Sequence, residues 1–221
     1  MTERPAPLLE HCPLVIFIAY TVPPEAEENG YSDWLRRVDC PFFNDIPGTL
    51  HYANWRLTGA PEGTPLAWDY YDFQGLEREE DLQRVWFNPD LDHFRSEWLR
   101  LWGYGRGEPP PVLRHSYVMR PVVAPKPGRA KPFLGIAAGQ GPVPADLEAD
   151  AVFRVEGVLR KHFAGSGERP ADWHRPAAEG NPLGLDWMSL HYADSEAEIR
   201  APRHPTATLR LASRLIAAPE A

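Results

Sequence analysis

The sequence predicts an α+β protein built from two tandem βαββαβ units, and three observations support this prediction. Over the first half of the chain, apolar runs and helical patterns follow in the order strand, helix, strand, strand, helix, strand. Short stretches of the second half repeat stretches of the first half in the same order. A basic, Pro-rich stretch separates the two halves. We therefore expect a first unit at 10–122, a linker at 123–130 and a second unit at 131–218, with the two sheets packed against each other.

The elements of the first unit are set by short apolar runs and by one helical stripe. Tyr31, Leu35 and Val38 recur at helical spacing, and Pro89 interrupts a second helical pattern. In chain order the predicted elements are strand 13–20 (PLVIFIAY), helix 25–40, strand 46–57 (IPGTLHYANWRL), strand 65–73 (PLAWDYYDF), the helix interrupted at Pro89, and strand 112–119 (VLRHSYVM).

The second unit is predicted from its echoes of the first. In chain order the predicted elements are strand 132–139 (PFLGIAAG), helix 152–163 (VFRVEGVLRKHF), a strand at 172–176 (DWHRP), strand 185–192 (LDWMSLHY), a helical turn at 195–200 (SEAEIR) and strand 208–216 (TLRLASRLI). Val152, Val155 and Leu159 fall on one side of the predicted helix. The short segment 195–200 leaves the second unit with its second helix shortened.

A βαββαβ order is that of the ferredoxin-like fold, and two copies in one chain resemble the dimeric α+β barrel superfamily in its fused form. The resemblance spans nearly the whole chain but covers the order of elements rather than a specific motif. It implies two four-stranded sheets that face each other and enclose a cavity. The superfamily includes cofactor-free monooxygenases, muconolactone-isomerase-like enzymes, polyketide cyclases and haem enzymes of the chlorite-dismutase type. No catalytic residue is carried over, because a fold alone does not define a function.

Composition narrows the classes of partner. The 221 residues carry a formal net charge of −8, whereas a nucleic-acid surface needs clustered Lys and Arg. No apolar run approaches the roughly 20 residues that cross a bilayer, and the N-terminus lacks the pattern of a signal peptide. Cys12 and Cys40 are too few for a disulfide framework or a cysteine zinc site. We expect a cytoplasmic protein that binds neither nucleic acid nor membrane, and a homo-oligomer is left open.

The alternation of side chains predicts which residues line the cavity. Successive residues of a strand point to opposite faces, and we assign the more apolar face to the helices because an unpaired buried charge is costly. In strand 208–216 this assignment places the leucines under the helices and both Arg210 and Arg214 in the cavity. The residues predicted to face the cavity are Tyr52, Arg56, Trp68, Tyr70, Asp72, Arg114, Trp187, His191 and Arg210, with His174 as the equivalent of Arg56.

Aromatic walls with a few convergent polar groups are typical of a small-molecule pocket. The guanidinium group matches the oxygens of a carboxylate, so we expect Arg114, Arg210 and Arg56 to hold an anionic, aromatic substrate. Its ring would stack on Tyr70, Trp68 and Trp187, and Tyr52 would also contact the substrate. His191 or His174 would act as general acid or base, oriented by Asp72. The expected activity is that of a lyase or isomerase without a cofactor, acting on a small aromatic or hydrophobic acid.

Other readings of these residues stay open. His191 fits a hydrogen-bonded structural histidine, His174 a solvated loop, and Arg114 and Arg210 ion pairs at the barrel mouth. The set His174, His191 and Asp72 has no diagnostic metal-ligand spacing, so no metal site is predicted.

The rival functions are a cofactor-free monooxygenase, a haem enzyme and a ligand-binding or stress-associated barrel without activity. For the haem enzyme, His93 or His162 on a predicted helix would be the axial ligand.

Overall fold

A computed structural model describes most of the chain, namely residues 9, 12–59, 68–103, 114–123, 131–160, 171–179, 181–199 and 206–219. Within these ranges there are nine strands, which are β1 (Val15–Tyr20), β2 (Thr49–Gly59), β3 (Tyr70–Leu76), β4 (Arg114–Pro121), β5 (Phe133–Gly139), β6 (Ala151–Leu159), β7 (His174–Pro176), β8 (Trp187–Ala193) and β9 (Ala207–Ala217).

Eight of these strands form a closed antiparallel barrel. The order is β4-β1-β3-β2-β9-β5-β8-β6, and β6 pairs back with β4 to close the sheet. The strands of each half of the chain therefore lie side by side, and the halves meet at β2–β9 and at β4–β6. The short strand β7 pairs with the end of β6 that β8 leaves free. Closure leaves no open sheet edge around the barrel.

The α-helices are short and lie in the first half of the described chain, whereas the second half has only the 3₁₀ turns Ala177–Glu179 and Glu196–Glu198 in its described part. In the first half they are α1 (Tyr31–Trp34), a π-helical turn (Leu35–Asp39), α2 (Cys40–Asn44), α3 (Asp81–Trp86) and α4 (Asp90–Leu101). The first three are continuous and are called segment 31–44 below. No helix in the described ranges is long and apolar enough to cross a membrane.

The prediction of two ferredoxin-like βαββαβ units is wrong, and the resemblance to the dimeric α+β barrel superfamily is overturned with it. The protein is mostly β, and the described part of its second half contains no α-helix. The predicted helix 152–163 falls on β6, where Ala151, Phe153 and Val155 are buried with period two. β-branched residues favour a strand there, and pairing with β4 and β8 decides the outcome. The stretch 172–176 forms the extra strand β7 rather than a barrel strand.

The barrel interior is packed with apolar side chains. Its cluster takes members from all eight barrel strands, and Phe17, Phe73, Tyr117 and Phe153 in it are fully buried. The rings of Trp55 and Tyr192 lie 6.4 Å apart although their strands β2 and β8 are not neighbours, so this contact crosses the interior. Side chains without accessible surface leave no water-sized space at their level. The enclosed cavity expected between two sheets is therefore filled at this level.

A second apolar layer covers the outside of the first half. Ile16 and Ile18 of β1 pack there with Leu35 of segment 31–44 and with Val85 of α3. This outer layer fixes the helices on β1, β3 and β4, and the polar residues described below lie within it.

Candidate functional site

The polar strand residues lie on the outer side of the barrel, opposite to the side predicted from the sequence. On β9, Leu209 and Leu211 belong to the interior cluster, so Arg210 between them faces outward. The alternation matches the prediction, but its direction is reversed. A barrel interior with room only for packed side chains takes the apolar face, since charges there would have no partner.

Four of the predicted site residues come together on the outside of β2 and β3. The register places Arg56 opposite Tyr70, and Asp72 lies two residues further along β3 on the same face. Tyr52 lies on the same face of β2 and bonds to Asp39 of segment 31–44. These side chains are therefore sandwiched between the sheet and the helices.

The other predicted residues lie elsewhere. Trp68 belongs to the interior cluster, and His174 is exposed on β7. Trp187 and His191 lie on β8 and Arg210 lies on β9, all in the second half. Arg114 begins β4, and its side chain is outside the described part.

The structure does not bring Asp72 and His191 together. Their strands β3 and β8 are separated by β2, β9 and β5. At about 4.8 Å between neighbouring strands, the path along the sheet is roughly 19 Å. Asp72 therefore cannot orient His191 through a hydrogen bond, as the sequence-based mechanism required.

Asn54 joins two buried carboxyl groups. Its Nδ2 atom lies 2.8 Å from Asp39 Oδ2 and 2.8 Å from Asp72 Oδ1, so the amide donates to both. The Tyr52 hydroxyl donates to the same Asp39 oxygen at 2.9 Å. All four residues are buried. Two carboxyl groups are thus held close together by shared donors.

A chain of hydroxyl groups leads away from Asp72. Tyr20 donates to Asp72 Oδ1 at 3.2 Å, and Tyr31 donates to the Tyr20 hydroxyl at 3.2 Å. The indole of Trp98 on α4 donates to the Tyr31 hydroxyl at 3.1 Å. We call Tyr20, Tyr31, Asp39, Tyr52, Asn54 and Asp72 the tyrosine–carboxylate cluster.

Burial shapes the acid–base properties of this cluster. It raises the pKa values of the Tyr20, Tyr31 and Tyr52 hydroxyls well above their ordinary value, and the nearby carboxylates Asp39 and Asp72 raise them further. The tyrosines therefore stay protonated at neutral pH and act as hydrogen-bond donors.

A set of charged side chains lies beside the tyrosine–carboxylate cluster, on the side that faces solvent. Arg56 lies opposite Arg214 of β9, and its guanidinium carbon lies 5.9 Å from the centre of the Tyr70 ring. Glu27 Oε2 is 3.1 Å from Arg56 Nη1, and Glu27 Oε1 accepts from the Tyr70 hydroxyl and, at 2.7 Å, from Ser32 Oγ. We call Glu27, Ser32, Arg56, Tyr70 and Arg214 the arginine rim. The rim reaches solvent, with Arg56 35% and Glu27 26% exposed at the side chain.

His191 has a partner of its own in the second half. Ser189 Oγ lies 3.0 Å from His191 Nε2 and 3.2 Å from the carbonyl oxygen of Ala137. Ser189 is fully buried, and its hydroxyl is engaged by these two partners. This pair fits the structural reading of His191.

A groove of about 530 Å³ lies between segment 31–44 and α4, away from the cluster. Trp34, Val38, Phe42 and Phe94 line it, and His93 stands at its edge. Of the two histidines considered as haem ligands, His93 is thus exposed on α4, and His162 lies outside the described residues. In the described ranges, no group of three or more His, Cys, Asp or Glu side chains is placed to hold a metal ion.

Comparison with protein-family models, with curated proteins and with solved structures finds no match for this chain. The site is therefore interpreted from its own geometry.

Sequence reasoning missed the members of this site that lie on β1 and on the segments that follow it. Tyr20, Glu27, Tyr31 and Asp39 come from β1 and from the connection that follows it, and their approach to β2 and β3 depends on tertiary packing. Arg214 has the same parity as Arg210 on β9, and the strand pattern places both arginines on one face.

Proposed function

We propose that the protein is an enzyme that carries out acid–base chemistry, of lyase or isomerase type, on a small aromatic or hydrophobic carboxylic acid. The reaction would take place at the tyrosine–carboxylate cluster rather than inside the barrel. The observation that carries the proposal is the pair Asp39 and Asp72, two buried carboxyl groups held by one amide and by tyrosine hydroxyls. Titratable groups in such perturbed surroundings are enriched at functional sites.

The roles follow from position. Asp72 accepts a proton from the substrate, because it is joined to the hydroxyl of Tyr20, whose ring stacks on Tyr70 at the rim. Tyr31 donates a hydrogen bond to Tyr20, which donates to Asp72, and this chain of hydrogen bonds stabilises the charge on Asp72. Asp39 and Asn54 hold Asp72 in place. In this proposal His191 and His174 have no part in the reaction, since they lie on other strands.

The main rival is a barrel without enzymatic activity, in which the cluster only fastens segment 31–44 to the sheet. The filled interior favours that rival over a reaction inside the barrel. The haem alternative drew its support from the superfamily resemblance, which the fold overturns.

Proton abstraction can be tested without knowing the product. The protein is incubated in D₂O with a panel of arylacetic and aryl-alkenoic acids, and deuterium incorporation next to the carboxyl group is followed by ¹H NMR. We expect exchange with at least one acid, and a fall of about 10²–10⁴-fold in Asp72→Asn. Tyr20→Phe, which keeps the ring, should also slow exchange.

The matched control is Asp33→Asn, an exposed aspartate that pairs with Arg36 on the surface. Thermal unfolding confirms that each variant is folded. Absence of exchange across the whole panel, or equal exchange in wild type and folded Asp72→Asn, would overturn the proposal. Oxygen uptake in place of exchange would support the monooxygenase alternative.

A further inference from the structure

We propose that Arg56, Arg214 and Tyr70 form a carboxylate-binding subsite that Glu27 occupies in the free protein, and that the carboxylate of a substrate displaces Glu27. The inference rests on the proposed function, because it names the groups that hold the acid and the residue that competes with it.

The first observation is a pair of like charges. Arg56 and Arg214 are directly opposite each other on β2 and β9, on the outer side of the sheet. Opposed residues on neighbouring strands have Cβ atoms about 5 Å apart, and like charges in that position are destabilising. An anion between the two guanidinium groups removes this repulsion and gains charge-assisted hydrogen bonds.

The second observation is that a carboxylate is already bound to Arg56, next to Arg214. Glu27 contacts Arg56 with one oxygen and the hydroxyls of Tyr70 and Ser32 with the other. Burial alone would raise the pKa of Glu27, but the bonds from Tyr70 and Ser32 and the charges of Arg56 and Arg214 lower it below its ordinary value. The subsite therefore stabilises the charged form of a carboxyl group.

The third observation is that Glu27 can leave without unfolding the sheet. It follows the 3₁₀ turn Pro24–Ala26 in the connection between β1 and α1, and its side chain is partly exposed. A rotation of this side chain into solvent is enough to free the subsite. The exchange of one carboxylate for another keeps the charge balance of the rim.

The fourth observation links the subsite to the cluster. Tyr70 and Asp72 are two residues apart on the same face of β3, which is about 7 Å along the strand. A carboxylate held at Arg56 thus places the adjoining carbon atoms of a small acid toward Asp72 and Tyr20. The ring of Tyr70 is buried and stacks on Tyr20 at 6.0 Å between centroids, which connects the subsite to the hydroxyl that donates to Asp72.

Benzoate is the probe, and its dissociation constant is measured by isothermal titration calorimetry on the full chain. Glu27→Gln removes the competing charge. If Glu27 fills the subsite most of the time, binding tightens by about tenfold or more, because the apparent affinity scales with the fraction of free subsite. Glu25→Gln, an exposed glutamate in the same turn, is the matched control and should bind benzoate like wild type.

Two further measurements make the outcome specific. Arg214→Gln in the Glu27→Gln background should lose the gain, and the neutral amide benzamide should not show it. Equal benzoate affinity in wild type, Glu27→Gln and Glu25→Gln, or equal gains for benzoate and benzamide, would overturn the inference. Benzoate binding as predicted, together with unchanged deuterium exchange in Asp72→Asn, would support the subsite and contradict the proposed function.

Discussion

Replacing Asn54 by alanine tests how strongly the tyrosine–carboxylate cluster is held together. The substitution removes two hydrogen bonds of 2.8 Å to carboxyl groups, both in a buried environment. A hydrogen bond to a charged group contributes about 1.5–3 kcal/mol, so we expect the free energy of unfolding to fall by about 3 kcal/mol at least. For a chain of this length, that loss lowers the melting temperature by roughly 6–12 °C.

The assay is urea unfolding followed by tryptophan fluorescence, with thermal unfolding by circular dichroism as a second measure. Gln74→Ala is the matched control, because Gln74 is a buried amide on the same face that donates to a neutral group, Thr49 Oγ, at 2.9 Å. Its hydrogen bond contributes only about 1 kcal/mol. In addition, Asp39→Asn should cost less in the Asn54→Ala background than in wild type. A loss in Asn54→Ala no larger than in Gln74→Ala, or fully additive effects with Asp39→Asn, would refute the reasoning.

Three other predictions concern the core, the pH dependence and the thiols. Phe153→Ala should lower the free energy of unfolding, measured in urea, by about 3–5 kcal/mol, because the Phe153 ring fills the barrel interior. Val123→Ala, at an exposed position, should change it by less than about 0.5 kcal/mol. Equal effects of the two substitutions would contradict a packed interior. Burial lowers the pKa of His115 below its ordinary value of 6.5, so the unfolded chain takes up this proton first as the pH falls. The stability that neutral His115 contributes is thus present above about pH 6.5 and is lost as the pH falls toward the folded-state pKa. His115→Gln should therefore reduce the drop in the urea midpoint of unfolding between about pH 7.5 and 5.5. An unchanged drop would contradict this prediction. Burial raises the pKa of Cys40 to about 12. Iodoacetamide should therefore leave this thiol unmodified in the native protein at about pH 8 and modify it after denaturation, as measured by mass spectrometry. Rapid labelling of the native protein would contradict the burial of Cys40.

The positions of most strands could be predicted from the sequence, because alternation and flanking Pro and Gly residues are local signals. The predicted strand 13–20 contains β1, and the predicted strand 185–192 covers most of β8. The segment that forms β6 could not be assigned this way. Its valines fit one side of a helix as well as a strand, and only pairing with β4 and β8 decides between them.

The local sequence pattern also could not show which face of each strand points to the barrel interior. Alternation shows that Arg210 and the neighbouring leucines point to opposite sides, but it does not show which side is the interior. That choice depends on barrel closure, which makes the interior a shared apolar core and leaves the polar face outside. The structure therefore places Asp72, Arg56 and Tyr70 on one face of two neighbouring strands, whereas His191 lies on β8, four strands away from β3.

The most direct test of a binding site outside the barrel is a crystal structure of Glu27→Gln soaked with 4-bromobenzoate, in which the anomalous signal locates the bromine. We expect the carboxylate between Arg56 and Arg214 and the bromine close to these two arginines, on the outer side of β2 and β3. A bromine inside the barrel among Phe73 and Tyr117, or no signal at the arginine rim in crystals soaked to saturation, would contradict a binding site outside the barrel.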